Sequence, residues 1–305
     1  MKTLWRGNAN AWECDELGHL NVKFYLAKAM EAVAHLGHEI GLGAIFQDGA
    51  TATLIVREAH INFIAEARPG APLEIRGGIT SIGSGQLAAD LVMHHGDESP
   101  AAGITLILEH CVPQSAKAFN WPARVLAGAK NLMIEPAPAC HPRGLPAEAG
   151  SDDVSLHRAD ELALTEIGRG LFSPQDCDAF GYMRAEYLLG KVSDSVIHLR
   201  EAFPEEWDAH STDSVELGGA LLECRIRVKR RPQAGDIFVI RSGLVDAGNN
   251  VRRLVHWVLD PVTGKPWWTM EGVAAMLDLK ARRIRKIDGE ALKKLRRGIR
   301  QGLSG

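Results

Sequence analysis

The sequence predicts an α+β fold in which an antiparallel sheet wraps around one central helix, and it predicts that this unit occurs twice. Two observations carry the prediction: an internal repeat, and within each copy one helix-period pattern followed by four strand-length runs. The 305 residues suffice for two domains, and 46% hydrophobic with 24% charged residues is typical of a globular chain. A disordered, collagenous or coiled-coil chain is thereby excluded.

The repeat appears when the sequence is compared with itself at a shift of 163 residues. Residues 14–36, CDELGHLNVKFYLAKAMEAVAHL, align without a gap with residues 177–199, CDAFGYMRAEYLLGKVSDSVIHL. Eight of these 23 positions are identical, whereas typical composition gives about one or two by chance. The same ungapped shift places Arg68-Pro69 over Arg231-Pro232. A duplicated domain explains these matches.

The first copy begins with a short strand and a turn at the DxxG segment, and a helix is expected over roughly 21–40. Apolar residues in this helix follow the i, i+3, i+4 pattern: Val22, Leu26, Ala29, Met30, Val33 and Leu36. Four β-rich runs follow, separated by turns at RPG, GSG and GDESP. They cover residues 51–66, 72–83, 85–95 and 101–112.

The second copy repeats this order of one helix and four strands. Its strands are expected near residues 214–230, 236–245, 250–259 and 267–278, with turns at RPQAGD, DAGNN and DPVTGK. A Pro-, Ala- and Gly-rich connector joins the copies, and Trp121-Pro122 within it predicts a helix start. The predicted divisions are 1–115 for the N-terminal domain, 116–158 for the connector, 159–280 for the C-terminal domain and 281–305 for a basic C-terminal helix.

The basic tail is the main asymmetry of charge in a chain of formal net charge −3. Residues 280–305 contain ten Lys and Arg against Asp288 and Glu290. From Asp288 onward, in DGEALKKLRRGIRQG, the acids come first and the bases last, which suits a helix dipole. A solvated or packing helix is therefore favoured over an arm that binds nucleic acid.

Composition and motifs exclude several classes of function. No run approaches the roughly 20 apolar residues of a membrane span, and the polar N-terminus does not resemble a signal peptide, so a cytoplasmic location is expected. The five cysteines form no CxxC pair and are expected to be reduced. HExxH, GxSxG and GxGxxG are absent, so we expect no metal, no serine nucleophile and no nucleotide cofactor.

The segment ECDELGHLN places a carboxylate where a loop enters a helix. Unpaired amides of a first helical turn can stabilise a developing oxyanion, and Asp15 lies close to them in sequence. Gly18 permits a tight turn, while His19 and Asn21 can orient a carbonyl or a water. Such a combination is suited to acyl transfer to water. Alternatively, Asp15 caps the helix and the neighbouring polar residues are solvated.

CDELGHLNVKFY resembles the signature of hotdog-fold thioesterases of the 4-hydroxybenzoyl-CoA thioesterase type, approximately DxDxxGHxNNxxY. The strand pattern and the DPVTGKPWW hairpin are similar to that family as well. The resemblance implies tandem hotdog folds, paired as a pseudo-dimer, and an acyl-CoA thioesterase without a cofactor. It further implies that Asp15 acts as nucleophile or general base, with amides near Gly18 and His19, together with Asn21, holding the oxyanion.

The second copy retains Asp178 and Gly181 but has Tyr182 and Arg184 in place of His19 and Asn21. We therefore expect one active site around Asp15, with the second inactive or used for binding; two active sites remain the alternative. Glu31 is a candidate catalytic partner of Asp15 or, alternatively, forms an intrahelical pair with His35. Basic residues near strand ends are candidates for CoA phosphates or simply protect sheet edges: Arg57, Arg68, Lys229, Arg230 and Arg231.

Two other functions remain open at this point, a hotdog enoyl-CoA hydratase and a non-catalytic acyl-CoA-binding protein. The expected partner is an acyl-CoA, with an acyl carrier protein as a possible donor, and neither nucleic acid nor membrane. The chain is expected to be a monomer with an internal pseudo-dimer or a homodimer of that unit. The sequence does not identify the acyl group.

Overall fold

A computed structural model describes residues 1–146, 150–204, 217–278, 280–281, 283–287 and 289–305. The chain forms two compact units. Unit 1 contains Met1–Arg143 and Ser173–Leu189, and unit 2 contains Gly144–Phe172 and Gly190–Gly305. The loop that contains Asp178 therefore belongs to unit 1, with the Asp15 loop. No helix in these described ranges is long and apolar enough to cross a bilayer.

Unit 1 contains a five-stranded antiparallel sheet in the order β1-β3-β4-β5-β2. The strands are β1 (Lys2–Asn8), β2 (Thr53–Phe63), β3 (Pro72–Ile82), β4 (Gln86–His95) and β5 (Pro100–Cys111). The four strands predicted after the helix are confirmed, with ends within three residues of those expected. Alternation of buried and exposed side chains sets these strands, because successive residues face opposite sides of a sheet.

The predicted helix of the first copy is α1 (Val22–Glu39). Its buried face follows the helical period and includes Leu26, Ala29, Val33 and Leu36, each fully buried. The connector then forms α2 (Ala123–Lys130), for which Pro122 is the N-cap residue, so the predicted helix start is confirmed. The segment around residues 137–141 packs on the sheet of unit 1, where the Asn62 amide donates to the carbonyls of Ala139 and His141.

Unit 2 begins with α3 (Leu156–Glu161), and its antiparallel strands follow the order β6-β8-β9-β10-β7, with β11 paired to β10. The strands are β6 (Thr165–Leu171), β7 (Leu217–Val228), β8 (Ile237–Ala247), β9 (Arg252–Leu259), β10 (Pro266–Asp278) and β11 (Arg283–Ile284). The strands predicted for the second copy are confirmed, although residues 214–216 of the first of them lie outside the described residues. The two sheets share one strand order, as expected for a duplication.

The helix predicted for the second copy is broken, which corrects the expectation of one helix. It consists of α4 (Tyr187–Ser193), a short 3-10 turn at Val196–His198 and α5 (Leu199–Ala202). The hydroxyl of Ser195 donates to the carbonyl of Lys191 at 2.9 Å. Short polar side chains compete in this way for backbone groups, which interrupts a helix.

Strand β8 corresponds to β3 at a shift of 165 residues, whereas β6 corresponds to β1 at the original shift of 163. The amide of Gly70 donates to Ala9, and that of Gly235 donates to Phe172, two equivalent bonds of 2.7 and 2.8 Å. Both glycines have positive φ, 83° and 95°. Arg68 therefore corresponds to Gln233, and the expected match of Arg68-Pro69 with Arg231-Pro232 is wrong. The two additional residues fall between α5 and β7.

The basic tail contains α6 (Gly289–Arg297), which is shorter than the helix expected over 281–305. Leu292 and Leu295 are buried in a cluster with Phe203, Leu244 and Ile287. Asp288, expected at the helix start, lies outside the described residues.

Candidate active site

In the loop before α1, Asp15 accepts hydrogen bonds from backbone amides of the same loop. Oδ1 of Asp15 accepts hydrogen bonds from the amides of Leu17 at 3.0 Å and His19 at 3.3 Å. The amide of Gly18 donates to the carbonyl of Asp15 at 3.0 Å. Gly18 has φ 74°, in the left-handed region that favours glycine. These bonds fix the orientation of the Asp15 carboxylate.

The loop around Asp178 has the same hydrogen bonds. Its Oδ1 accepts from the amides of Phe180 at 2.9 Å and Tyr182 at 3.0 Å, and the Gly181 amide donates to its carbonyl at 3.0 Å. Gly181 has φ 82°. Each of these hydrogen bonds in the Asp15 loop therefore has an equivalent in the Asp178 loop.

The two amides that were expected to hold the oxyanion are engaged inside the loop. Those of Gly18 and His19 both donate to Asp15, as given above. In the first turn of α1, the side-chain oxygen of Asn21 accepts from the Lys23 amide at 3.0 Å. Among the described residues the Val22 amide has no hydrogen-bond partner. Val22 therefore offers the donor that the sequence analysis assigned to Gly18 and His19.

His19 is paired with an acid that the sequence analysis missed. Its Nε2 lies 2.9 Å from Oε2 of Glu66, and His19 is only 8% exposed. The two residues are separated by 46 intervening positions, and no local pattern connects them. In the second copy Tyr182 replaces His19, and its hydroxyl donates to the carbonyl of Gln114 at 2.5 Å.

Tyr25 and Cys14 lie close to Asp15 and are held in their neutral forms. Burial raises the pKa of Tyr25 to about 12, although a hydrogen bond with the Ala67 backbone lowers it, and the charges of Glu66 and Asp15 add to the rise. Burial also raises the pKa of Cys14, again with a contribution from Asp15. The Cys14 thiol donates to the carbonyl of Asn10 at 3.3 Å. A protonated, hydrogen-bonded thiol is a poor nucleophile.

Glu31 is directed away from the expected catalytic partner. Its carboxylate accepts from the indole Nε1 of Trp5 at 2.9 Å. Glu31 lies nine residues beyond Val22, which corresponds to roughly 14 Å along the helix axis. Neither the expected partnership with Asp15 nor the alternative pair with His35 is found among the described contacts. Glu13, the first acid of the motif, forms an ion pair with buried Lys28 at 2.8 Å.

Most of the basic residues considered for CoA binding have acidic partners. Arg57 pairs with Glu109, and Lys229 lies 3.1 Å from Asp152. Arg230 lies 3.3 Å from Asp260 and stacks over the Trp267 ring at 4.0 Å. Of the two remaining candidates for CoA binding, Arg68 is exposed and Arg231 is half-buried.

Unit 1 brings the first turn of α1 next to the start of α4. The ammonium group of Lys23 lies 3.8 Å from the centre of the Tyr187 ring. Lys23 follows Asn21 by two residues, so the segment after the Asp178 loop forms part of the surroundings of the Asp15 site. Within the described ranges, no group of three or more His, Cys, Asp or Glu side chains is arranged to hold a metal ion.

Solved structures with a similar fold cover almost the whole chain. They include a protein assigned as an oleoyl thioesterase from Lactobacillus plantarum (12% identity, 88% of this chain and 94% of that chain, TM-score 0.65), a 12:0-ACP thioesterase from Umbellularia californica (11%, 88% and 92%, 0.65) and an acyl-ACP thioesterase from Bacteroides thetaiotaomicron (9%, 90% and 97%, 0.60). At such identities the likeness is one of fold. A search of curated protein sequences gives no significant match.

The family model of the thioesterase-like superfamily matches twice, at residues 9–128 and 172–295. Each match includes one DxxG loop and the strands that follow it. The predicted tandem hotdog fold and the predicted family are thus confirmed. The chain belongs to the thioesterase-like superfamily.

Proposed function

We propose that this chain hydrolyses acyl-CoA thioesters at a site built around Asp15. Thioester hydrolysis in general follows from the family; the acyl-CoA substrate and the residues that act on it are the proposal. The observation that carries it is a carboxylate fixed by two backbone amides in the loop that leads into α1, whose Val22 amide has no partner among the described residues.

Both loop amides bind Oδ1 of Asp15, and no hydrogen bond to Oδ2 is found within the described residues. Oδ2 then takes a proton from water, and the hydroxide adds to the thioester carbonyl. As the carbon–sulfur bond breaks, the proton passes from Asp15 to the leaving thiolate. Direct attack of Oδ2 on the carbonyl, followed by hydrolysis of the anhydride, is the alternative route.

The oxyanion is held by the Val22 amide, which the helix dipole makes a stronger donor. Asn21 fixes the first turn in which this amide lies, through its bond with Lys23. His19, held by Glu66, orients the water. This pair supports a single active site, because Tyr182 cannot substitute for an imidazole in the Asp178 loop.

The leading donor is acyl-CoA, and acyl carrier protein is the second candidate. Two of the similar structures are named as acyl-ACP thioesterases, which supports testing both. A panel of acyl-CoAs and acyl-ACPs of increasing chain length, assayed for free thiol, identifies the donor. Release from wild type but not from Asp15→Asn, with both proteins folded by circular dichroism, supports the proposal. Unchanged release by Asp15→Asn would remove Asp15 from the mechanism.

A further inference from the structure

The loop that carries Asp15 is closed at its base by the backbone of Glu13. The Glu13 carbonyl accepts a hydrogen bond from the amide of Asn21, the N-cap residue of α1, at 2.9 Å. Next to this bond, Cys14 and Leu20 form an isolated antiparallel bridge. Because Asp15 follows Glu13 by two residues, a displacement of Glu13 against α1 would also displace Asp15.

The carboxylate of Glu13 binds both the segment before the loop and the helix after it. Its Oε2 accepts from the Asn10 amide at 3.0 Å, at the start of the 3-10 turn Ala11–Glu13. Its two oxygens accept from the ammonium group of Lys28 at 2.9 and 2.8 Å. Lys28 lies in the second turn of α1. The Glu13 carboxylate therefore connects the entry of the Asp15 loop to the body of α1.

The ion pair between Glu13 and Lys28 is shielded from water. The exposed fraction of the side chain is 4% for Lys28 and 12% for Glu13. The Lys28 ammonium group lies 5.0 Å from the centre of the Trp5 ring. In such an environment either charge is costly without the other, so the two side chains stay together. An exposed pair of long side chains would not fix a geometry in this way.

The second copy has an acid and a lysine at the same two positions. Asp176 aligns with Glu13, and Lys191 aligns with Lys28. The carboxylate of Asp176 accepts from the Ser173 amide at 3.0 Å, which is the same turn bond that Glu13 forms. An aspartate is therefore compatible with this turn, which makes Glu13→Asp a suitable conservative variant.

We propose that Lys28, through its ion pair with Glu13, is a positioning residue for the Asp15 carboxylate. The pair fixes the entry of the Asp15 loop against α1 and thereby holds the carboxylate in place relative to the first turn of the helix. Lys28 does not contact the substrate. This inference rests on the proposed function, because it gives the pair a role in hydrolysis and not in folding alone.

The first test is Lys28→Met, which removes the ammonium group and keeps most of the apolar stem. With the acyl-CoA that wild type hydrolyses fastest, we expect kcat to fall at least about tenfold and KM to change less than about twofold. Displacement of a reacting group slows the chemical step more than it weakens binding. Glu13→Asp keeps the negative charge and should retain kcat within about threefold of wild type.

Two further variants separate positioning from stability, and each is assayed where circular dichroism shows it to be folded. Glu13→Gln/Lys28→Met removes both charges, so no unpaired charge is left buried, and it should show the same loss of kcat as Lys28→Met. Asp90→Asn is the matched control. Asp90 is a buried acid of β4 that accepts from the Thr105 hydroxyl and the Ala137 amide. This variant should lose stability and keep its kcat.

A second readout does not depend on turnover. Solvent exchange of the two amides that donate to the Asp15 carboxylate is followed by NMR. Lys28→Met should accelerate exchange at both amides at least about threefold, because the loop opens more often. The two equivalent amides of the Asp178 loop are the internal control and should be unchanged.

Wild-type kcat in Lys28→Met, with Asp15→Asn inactive, would overturn this inference and leave the proposed function intact. Unchanged exchange at the two amides, or an equal fall of kcat in Asp90→Asn, would overturn the inference as well, because the role of the pair would then be structural. Unchanged thiol release by Asp15→Asn would overturn the proposed function and this inference together.

Discussion

Nε2 of His19 lies 2.9 Å from Oε2 of Glu66, and this pair distinguishes the Asp15 loop from the loop around Asp178. The two loops otherwise share their hydrogen bonds and their glycine conformation. We therefore base the proposal that Asp15, and not Asp178, is catalytic on the residues around two nearly identical loops.

We expect Glu66→Gln to lower kcat because an amide holds the imidazole less firmly than a carboxylate does. The loss should approach about a hundredfold, the effect of a misplaced catalytic group, while KM changes little. The control is Glu98→Gln, which removes an exposed partner of Arg76 and should leave kcat unchanged. A Glu66→Gln enzyme with wild-type kcat would show that Glu66 does not position His19.

Gly18→Ala and Gly181→Ala should destabilise the fold to a similar degree, because both glycines have positive φ. The expected loss is about 1–2 kcal/mol for each, measured by denaturant unfolding. Activity should fall in Gly18→Ala well beyond the change in Gly181→Ala. Equal losses of activity would indicate two active loops instead of one.

Glu31→Gln should have normal kcat, because Glu31 contacts Trp5 and not the Asp15 loop. Stability should fall by less than about 1 kcal/mol, as is usual for an exposed polar contact. Steady-state assays and urea unfolding of this one variant check both expectations. A large loss of kcat in Glu31→Gln would support the original expectation that Glu31 is a catalytic partner of Asp15.

His256 makes the stability of the fold depend on pH. It is buried on β9 with Nδ1 2.7 Å from the hydroxyl of Ser242, and burial lowers its pKa to about 4 from 6.5. Below pH 6.5 the unfolded chain binds a proton at this position and the folded chain does not, so stability falls as pH decreases toward 4. At about 1.4 kcal/mol per pH unit, the loss over this window is about 3 kcal/mol.

The double variant Ser242→Gly/His256→Leu should flatten this part of the pH profile. It introduces the pair found in the first copy, where Gly77 faces Leu91 in the same register. His157→Gln is the control, since the His157 side chain is 84% exposed. Urea unfolding at pH 7, 6 and 5 makes the comparison, and an unchanged slope in the double variant would refute the assignment to His256.

The sheets and α1 could be predicted because their signals are local. Alternation sets the strands, and a helical period sets α1 between Asn21 and the glycines after Glu39. The break in the second helix coincides with the bond from the Ser195 hydroxyl to the Lys191 carbonyl, a bond of the kind that bends a helix. Periodicity alone does not reveal such a bond.

The residues of the Asp15 loop could be predicted from the sequence, whereas the distant residues that contact the site could not. Asp15, Gly18 and Asn21 lie within seven residues, and their roles in a turn and a cap follow from residue type. Glu66 lies 2.9 Å from His19 although 46 positions separate them, and Arg230, which follows β7, pairs with Asp260 in the turn between β9 and β10. The two-residue insertion in the second copy is visible only in the equivalent hydrogen bonds of Gly70 and Gly235. In the sequence, the chance identity of Arg68-Pro69 with Arg231-Pro232 hides it.

The most direct measurement compares thiol release by Asp15→Asn and Asp178→Asn under single-turnover conditions. The twin loops make each variant the control for the other, since both lose the same hydrogen-bonded carboxylate. The account predicts a loss of about a hundredfold or more for Asp15→Asn, and a rate within about threefold of wild type for Asp178→Asn. Equal losses in the two variants, or a loss in Asp178→Asn alone, would contradict it.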